Sequence, residues 1–558
     1  MKRKYGILCL IYLIGIILYL GIMHLFTIPV HLNVDEELYI SMARSFHYEG
    51  VFEKNGNILD YSCVLYSMIL SIAYYFYSPE NIMYILRAIN VIIMLSSVFP
   101  IFFLGERIFK NEKNALFACA FSLFLPTMMN TAYCMQEVLA YPLFLWAIYF
   151  IYSEIEKDKI LSVSKESIVI TVLSIVCYFT KTYMIFIPLV YFGLILLEAT
   201  RKKRISVWKK LILLGGIAVF LYILGKYGII YINNGATGTN HYAAQFSWLF
   251  PITWETIIAA IGCITVYVAS LLFYWGVLPV ILPLCNLKRY SEKDKKFFCF
   301  LFLSICVLIV EIVISIVLTE EGNVLVPKKL LYRYFQIFEV PLLMIFVKEI
   351  ESLEIPKKIL AVYRGVFGIL VFYFVYIGDG QRTSIIDAPV FLLMENITRY
   401  MIPYFNIFVC GIAAVFVGLG AFLYIKKKWN GQALLKVFEK VCLFCIILFF
   451  VINLVQLPYY NNVIADGKQI EADAVKIAHY LEEDEKYTDI YYVKAKTDRY
   501  EQSVYAYLKE KVYYVTVDTL KEINDKEAII IASSQCDVGE NFKKIELNTE
   551  VLNVIKLK

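Results

Sequence analysis

Length, composition and charge exclude a soluble globular protein. The chain has 558 residues, of which 60% are hydrophobic and 18% are charged, and its mean hydropathy is +0.65. One soluble core cannot bury so much apolar surface, so the composition predicts an integral membrane protein. The net charge is only +5, and the Lys and Arg residues form short clusters between apolar segments, which argues against a nucleic-acid partner.

The first apolar segment is predicted to be a retained membrane anchor. It runs from Tyr5 to Phe26 behind the basic start Lys2-Arg3-Lys4, and it is longer than the apolar core of a secretory signal. The basic start puts the N-terminus in the cytoplasm. Residues 27–61 then form a polar outer loop. The short apolar piece 61–77 is expected to lie along the membrane interface, because a full crossing there would put the basic loop 106–113 outside.

The remaining apolar segments predict a polytopic helical bundle. Every loop that lies on the cytoplasmic side in this topology carries several Lys or Arg residues, as the positive-inside rule requires. With the first segment, the bundle has about 13 spans, with the N-terminus inside and the C-terminus outside. The later predicted spans are 83–104, 114–132, 138–153, 167–182, 183–199, 211–232, 256–284, 297–319, 335–347, 359–377, 401–425 and 438–456.

Residues 458–558 differ in character from the membrane part, residues 1–457. Charged residues become frequent, and strand-like and helix-like segments alternate, which predicts a small α/β domain outside the cytoplasm. The strand-like segments are 489–494, 511–517 and 528–532, and the helix-like ones are 469–483 and 500–509. The predicted fold class is therefore mainly α, a transmembrane helical bundle with interfacial helices in the first outer loop and this small domain.

The first outer loop contains the most unusual local sequence, the acidic group Asp35-Glu36-Glu37. The group opens a helical pattern whose apolar positions suit a helix that lies in the membrane interface. A structural interpretation is also available, because Asp35 could cap the helix and the glutamates could complement its dipole, with Glu37 a solvated residue of the first turn. The apolar positions of this pattern are Leu38, Met42 and Phe46.

Other charged residues also fall on the predicted outer side. Glu137 begins the fourth span, and Lys181 lies in the turn between two spans. The segment from Lys328 and Lys329 to Arg333 and Tyr334 brings three cations to the side where the positive-inside rule disfavours them, which indicates an anionic ligand. The alternatives are a snorkelling lysine at Lys181 and lipid headgroup anchoring by the basic cluster.

Two more ionisable residues, Lys226 and Glu311, lie inside predicted spans. Charged groups in that position need a partner or a function. The sequence does not show whether they face each other.

Together these residues resemble the GT-C superfamily of polytopic glycosyltransferases over about residues 7–350, in particular the protein O-mannosyltransferase and aminoarabinose transferase branch. The segment from Asp35 to Arg44, DEELYISMAR, is similar to that family's DExxYxxxAR pattern. Many relatives carry a Pro-rich motif before the short apolar piece, where this chain has Tyr61-Ser62-Cys63. The later landmarks that resemble the family in order and sidedness are Arg87 to Asn90, Gly105 to Phe109, Glu137, Lys181 and Arg333-Tyr334.

The resemblance implies an inverting glycosyltransferase of the bacterial cytoplasmic membrane. It would move a sugar from a polyprenyl-phosphate donor to a glycan, lipid or protein acceptor on the outer face, among membrane lipids. Asp35 would be the general base, with Glu36 as its catalytic neighbour. Glu36 and Glu137 would raise the pKa of Asp35 by like-charge proximity or hold a divalent metal ion. The donor phosphate would be bound by Lys181, Lys329, Arg333 and Tyr334.

Two other functions remain open from the sequence. A transporter or flippase for a lipid-linked or anionic envelope precursor would use intramembrane charges such as Lys226 and Glu311, and it would often contain an internal repeat. An inactive relative could instead bind a cell-envelope polymer through residues 458–558.

Overall fold

The computed structural model describes most of the predicted membrane part and most of the C-terminal part. The helices are α1 (Lys2–Leu25), α2 (Val34–Glu49), α3 (Leu65–Leu70), α4 (Ile82–Leu95), α5 (Val98–Phe109), α6 (Glu112–Ser122), α7 (Glu137–Glu156), α8 (Lys165–Thr180), α9 (Phe186–Lys202), α10 (Val207–Ile232), α11 (Trp254–Tyr274), α12 (Glu292–Ile312), α13 (Glu339–Ser352), α14 (Asn461–Glu483) and α15 (Val517–Leu520). The described residues are 2–25, 34–54, 56–202, 207–235, 252–275, 279–280, 283–284, 287–317, 324, 327, 330–352, 461–483, 487–493, 501–520, 523, 525, 527–534, 536, 538 and 541–557.

Seven helices in the described part of the chain are long and apolar enough to cross a membrane. A crossing helix needs about 20 apolar residues, because the hydrocarbon core is about 30 Å thick and each residue adds about 1.5 Å. The chain is therefore a multi-pass membrane protein with a mainly helical fold. These helices are Arg3–His24, Ile82–Phe109, Glu137–Glu156, Thr182–Lys202, Val207–Ile232, Trp254–Leu272 and Glu292–Ser315.

The predicted uninterrupted span at 114–132 is wrong. Helix α6 has 11 residues and ends at Ser122, and a separate 3-10 helix runs from Pro126 to Ala132. Proline disfavours helical geometry in the residue before it and has no N–H to continue the helix, which explains the break. The predicted spans 167–182 and 335–347 are helices of 16 and 14 residues. The predicted spans 359–377, 401–425 and 438–456 lie outside the described residues, so the total of about 13 stays a prediction.

The apolar piece 61–77 does not form a crossing. It contains α3 and a 3-10 helix, Ser71–Phe76, and together they form an apolar helix from Leu65 to Phe76. At about 1.5 Å per residue this helix is roughly 18 Å long, which is shorter than the hydrocarbon core.

The apolar stripe of helix α2 packs against the protein core, and the position of the helix in the membrane interface stays a prediction. Met42 has no exposed surface, and Leu38 and Phe46 pack against the same hydrophobic core. Glu37, predicted to be solvated, is 3% exposed, and its Oε2 lies 3.7 Å from Lys54 Nζ. A short antiparallel hairpin, β1 (Glu53–Lys54) and β2 (Asn57–Ile58), follows the helix.

A buried carboxylate joins four helices at the end of α7 that lies away from Glu137. Glu154 and Lys210 are almost fully buried, and Lys210 Nζ contacts Glu154 Oε1 at 2.7 Å. The Ser164 hydroxyl donates to Glu154 Oε1 at 2.9 Å, and the Tyr191 hydroxyl donates to Glu154 Oε2 at 2.5 Å. A buried ion pair is tolerated when its remaining lone pairs are satisfied in this way. The network therefore connects α7, the start of α8, α9 and α10.

The C-terminal part forms a five-stranded mixed sheet in the order β4-β3-β5-β7-β6. β3 is parallel to both β4 and β5, whereas β7 is antiparallel to β5 and β6. The first three strands coincide with the three strand-like sequence segments. The boundary at 457/458 lies outside the described residues and stays a prediction, as does the location outside the cytoplasm. The strands are β3 (Ile490–Val493), β4 (Val512–Val515), β5 (Ile529–Ser533), β6 (Phe542–Ile545) and β7 (Leu552–Leu557).

Helix α14 is fixed to this sheet by its apolar face and one buried carboxylate. Ile470, Ala474, Ile477 and Leu481 follow the spacing of one helix face, and all four are buried. Asp473, on the same helix, is 1% exposed. Its Oδ2 accepts hydrogen bonds from three successive backbone N–H groups at the start of β7, at 2.9, 2.7 and 3.1 Å.

Candidate active site

The first turn of α2 directs its three carboxylates to different surroundings. The helix begins at Val34, so Asp35 is a residue of the first turn and not the predicted cap. Successive residues on an α-helix are about 100° apart, so three neighbours cannot share one face. The Asp35 side chain is 39% exposed, whereas Glu36 and Glu37 are buried. The positive end of the helix dipole stabilises all three negative charges.

Glu36 fastens the acidic helix to the turn that precedes α7. Its Oε1 accepts a hydrogen bond from the Cys134 backbone N–H at 2.7 Å. The same turn is held by Asn90, which donates to the Tyr133 carbonyl at 3.0 Å and accepts from the Tyr66 hydroxyl at 2.8 Å. Glu36 is therefore a buried anchor that sets the position of its neighbour in the chain.

Arg333 contacts two of the predicted site carboxylates. It lies in a buried 3-10 turn, Tyr332–Tyr334. Its Nη2 lies 3.1 Å from Asp35 Oδ2, and its Nε lies 3.4 Å from Glu137 Oε1. Nη2 also donates to the Tyr334 hydroxyl at 3.2 Å. The planar guanidinium can hold several acceptors in a fixed geometry, so Arg333 orients Asp35 relative to Glu137.

Lys181 approaches the same carboxylate from another helix end. It has an extended backbone between α8 and a 3-10 helix, and its Nζ forms an ion pair with Glu137 Oε1. The ammonium also lies 4.7 Å from the centre of the Tyr334 ring and 5.4 Å from that of Tyr183. Aromatic faces stabilise a buried cation that has left water. Glu137 begins α7, where the helix dipole favours its negative charge.

Asp35, Glu137, Lys181, Arg333 and Tyr334 thus form one connected cluster, which we call the charged cluster. All of its members except Asp35 are buried. In a buried setting the attraction between opposite charges is stronger than in water. The cluster therefore holds two fixed cations beside one carboxylate that a solvent-borne group can reach.

Comparison with known proteins concerns the fold that carries this cluster. The chain matches the crystal structure of ArnT from Cupriavidus metallidurans bound to undecaprenyl phosphate with a TM-score of 0.56 at 10% identity, over 99% of this chain and 97% of that chain. ArnT is a GT-C aminoarabinose transferase. The chain has a GT-C-like fold. The apo structure of the same ArnT gives a TM-score of 0.54 at 11% identity, again over 99% and 97% of the two chains.

The sequence comparisons add a family without an assigned activity. The sequence profile of a domain of unknown function (DUF6311) matches residues 65–338, which include most of the charged cluster. No curated protein matches the chain. The GT-C-like fold that the residues predicted is confirmed, whereas the roles of the individual residues stay predictions.

Two tyrosines next to the charged cluster were not predicted as site residues, although Tyr39 is the tyrosine of the DEELYISMAR segment. Tyr39 is buried, and burial together with nearby Tyr61, Asp35 and Glu137 raises its pKa well above the ordinary value. Its hydroxyl therefore stays protonated and can donate. Tyr39 lies one helical turn after Asp35, and that i, i+4 spacing was the available signal. Tyr61 comes from the segment where the sequence departs from the GT-C pattern, and no local pattern indicated it.

The predicted divalent metal site fits these residues poorly. Glu36 Oε1 accepts the Cys134 amide, and Glu137 Oε1 is shared by two cations. Among the residues that the structure describes, no group of three or more His, Cys, Asp and Glu side chains is arranged to hold a metal ion. The metal site stays a prediction.

The remaining predicted residues are not members of the charged cluster, although Glu311 acts electrostatically on Tyr183, whose ring packs against Tyr334. Lys329 falls outside the described residues. Lys226 Nζ contacts Asp60 Oδ1 at 2.9 Å, which ties α10 to the loop after the hairpin. Glu311 lies on α12 just before a turn of π-helix, Val313–Val317. Its Oε2 has no hydrogen-bond partner among the described residues.

Proposed function

We propose that the protein transfers a sugar from a polyprenyl-phosphate donor to an acceptor hydroxyl on the outer face of the cytoplasmic membrane. The observation that carries the proposal is the contact of Arg333 with both Asp35 and Glu137, with Lys181 on the same glutamate. A base and two cations around one reaction centre are what this chemistry requires. The ArnT of the same fold was crystallised with undecaprenyl phosphate, which supports a lipid phosphate as the donor carrier.

The reaction forms one bond and breaks another at the anomeric carbon. The acceptor oxygen attacks that carbon while Asp35 takes the hydroxyl proton. The bond from the anomeric carbon to the phosphate oxygen breaks, and its electron pair leaves with the phosphate as a lipid phosphomonoester. Attack from the face opposite the leaving group inverts the configuration. Asp35 is the exposed member of the charged cluster, which suits a group that must meet an acceptor.

The leaving phosphate gains negative charge as the bond breaks, and Lys181 and Arg333 are the groups that would stabilise it. Buried cations that are already oriented stabilise developing charge without reorganising at the moment of reaction. Glu137 holds both cations in position and is a positioning residue in this mechanism. Glu36 anchors the acidic helix through Cys134, and it acts on Asp35 by fixing the first turn.

The proposal is tested by incubating the purified full-length protein with a panel of polyprenyl-phosphate sugars and an acceptor extract. We expect sugar transfer and release of the lipid phosphate with one donor. The same protein is also reconstituted into proteoliposomes, and transport is followed there by the movement of the intact donor across the bilayer. Movement of the intact donor without cleavage would contradict the proposal and favour the transporter.

A further inference from the structure

The segment 505–511 of the C-terminal part lies across the acidic helix α2. The Tyr505 hydroxyl donates to the Glu37 backbone carbonyl at 2.6 Å. Arg44 Nη1 donates to the Lys509 carbonyl at 2.8 Å and also to the Glu510 carbonyl. The segment therefore contacts both the first turn and the third turn of the helix that carries Asp35.

The same segment also contacts the elements that follow α2. Lys511 Nζ lies 2.7 Å from Glu53 Oε2 in the hairpin. The Tyr74 hydroxyl donates to the Ala506 carbonyl at 3.4 Å, and the Tyr77 hydroxyl donates to the Tyr507 carbonyl. Helix, hairpin and apolar piece are thus held by one stretch of chain, although Arg44 and Lys509 are 465 residues apart in sequence.

The side chains that make the two contacts on α2 are buried. The Arg44 side chain is 5% exposed, and Tyr505 is 4% exposed. The hydrogen bonds from the charged guanidinium to the two carbonyls are stronger than hydrogen bonds from a neutral donor. Burial raises the pKa of Tyr505 well above the ordinary value for tyrosine, so its hydroxyl remains a donor at physiological pH.

The first turn of α2 is therefore held from two directions. Asp35 and Glu36 are bonded to Arg333 and to the Cys134 amide in the membrane part, whereas Glu37 is bonded to Tyr505 in the C-terminal part. A helix that is held on one side can still rotate or slide. A displacement of about 1 Å can cost on the order of 100-fold in rate when it moves a catalytic group.

We propose that residues 505–511 position the acidic helix, with Tyr505 and Arg44 as positioning residues that hold Asp35 against Arg333. The inference rests on the proposed function only for its effect on the reaction rate. Its effect on the acidic helix is independent of any reaction.

The first test is hydrogen exchange of the backbone amides of residues 34–44 in the full-length protein. Tyr505→Phe removes one hydroxyl and keeps the ring, and we expect these amides to exchange about fivefold faster, as expected for the loss of one neutral hydrogen bond. The matched control is Tyr491→Phe on β3, whose hydroxyl donates to Asp489 at 3.4 Å. The control should leave residues 34–44 unchanged. Unchanged exchange in Tyr505→Phe would overturn the inference.

Arg44→Lys is the second variant, because it keeps the charge and loses the planar guanidinium, whose Nη1 donates to both carbonyls and whose Nη2 donates to Glu49. In this variant the backbone amides of residues 34–44 should exchange faster than in Tyr505→Phe, because two charge-assisted hydrogen bonds are lost. Exchange equal to that of the wild type in this variant would also overturn the inference.

The kinetic test separates positioning from general damage. In Tyr505→Phe we expect kcat to fall about fivefold or more, with the KM for the donor unchanged, because the cations of the charged cluster are not altered. A raised KM with an unchanged kcat would contradict a positioning role. If the wild-type protein transfers no sugar, the proposed function fails, while the exchange measurement still decides the inference.

Discussion

Glu137 is the residue on which both cations of the charged cluster depend. It is 2% exposed, and its Oε1 faces Lys181 and Arg333. Removing one partner of a buried ion pair leaves an uncompensated buried charge, which costs more than the pair itself contributes. The loss of Glu137 would leave Lys181 without its ion-pair partner, whereas Arg333 would keep its contact with Asp35.

Replacing Glu137 should therefore destabilise the fold more than replacing a glutamate at the other end of the same helix. Glu137→Gln is expected to cost about 3 kcal/mol of unfolding free energy. The control is Glu156→Gln, since Glu156 pairs with Arg107 and Lys293 while its side chain is 25% exposed. The control should cost less than about 1 kcal/mol. Thermal unfolding in detergent measures both, and equal losses would contradict the importance of the buried pair.

The sequence predicted the charged members of the site better than the polar groups around them. A charge at the membrane boundary is costly and is therefore usually paired or functional. This made it possible to find Asp35, Glu137, Lys181 and Arg333. The burial of Glu37 could not be found, because it depends on Tyr505 and Lys54 rather than on the residues of its own turn. A local pattern carries no information on such distant partners.

At the scale of the element, α2 illustrates where periodicity is informative. The acidic start and the apolar spacing correctly predicted a helix, because both are properties of consecutive residues. They could not tell whether the apolar stripe faces lipid or protein. The stripe packs on the core, with Met42 fully buried.

The packing of α8 on α10 gives a prediction about one glycine. A Cβ added at Gly225 would lie 2.4 Å from Phe179 Cε2, whereas a Cβ at Gly228 would meet nothing within 4 Å. Gly225→Ala is expected to cost about 1–3 kcal/mol because Phe179 must move. Gly228→Ala should stabilise α10 by up to about 1 kcal/mol.

Melting temperatures of the two variants in detergent check this prediction. A Gly225→Ala protein that melts as late as Gly228→Ala would contradict the close approach of α8 and α10.

At the scale of the whole molecule, the sequence predicted the class of fold more reliably than its internal boundaries. Hydropathy and sidedness depend on composition, and seven helices suited to crossing are present in the described residues. The break before Pro126 follows from the proline itself, whereas the lengths of the short helices depend on how neighbouring helices pack. The contacts of segment 505–511 with α2 and with the apolar piece 61–77 join residues that are more than 400 positions apart, so no sequence window contains both.

Two glycines test the contact between the hairpin and β4. Gly50 and Gly56 both have positive φ, at +71° and +79°, but a Cβ at Gly56 would lie 2.8 Å from Tyr513 Cδ1, whereas one at Gly50 would meet nothing within 4 Å. Alanine strains the backbone at both positions by about 1 kcal/mol. Gly56→Ala should therefore lower the melting temperature more than Gly50→Ala. Equal losses would contradict the docking of the hairpin on β4.

The most direct measurement of the central claim is sugar transfer by Asp35→Asn. The amide keeps the size of the side chain and cannot accept the acceptor proton as a carboxylate does. We expect transfer to fall by at least about 100-fold, with expression and the melting temperature unchanged. The control is Asp158→Asn, an exposed residue at positive φ, where asparagine is well tolerated and transfer should be unchanged. Wild-type transfer by Asp35→Asn would contradict the assignment of Asp35 as the base.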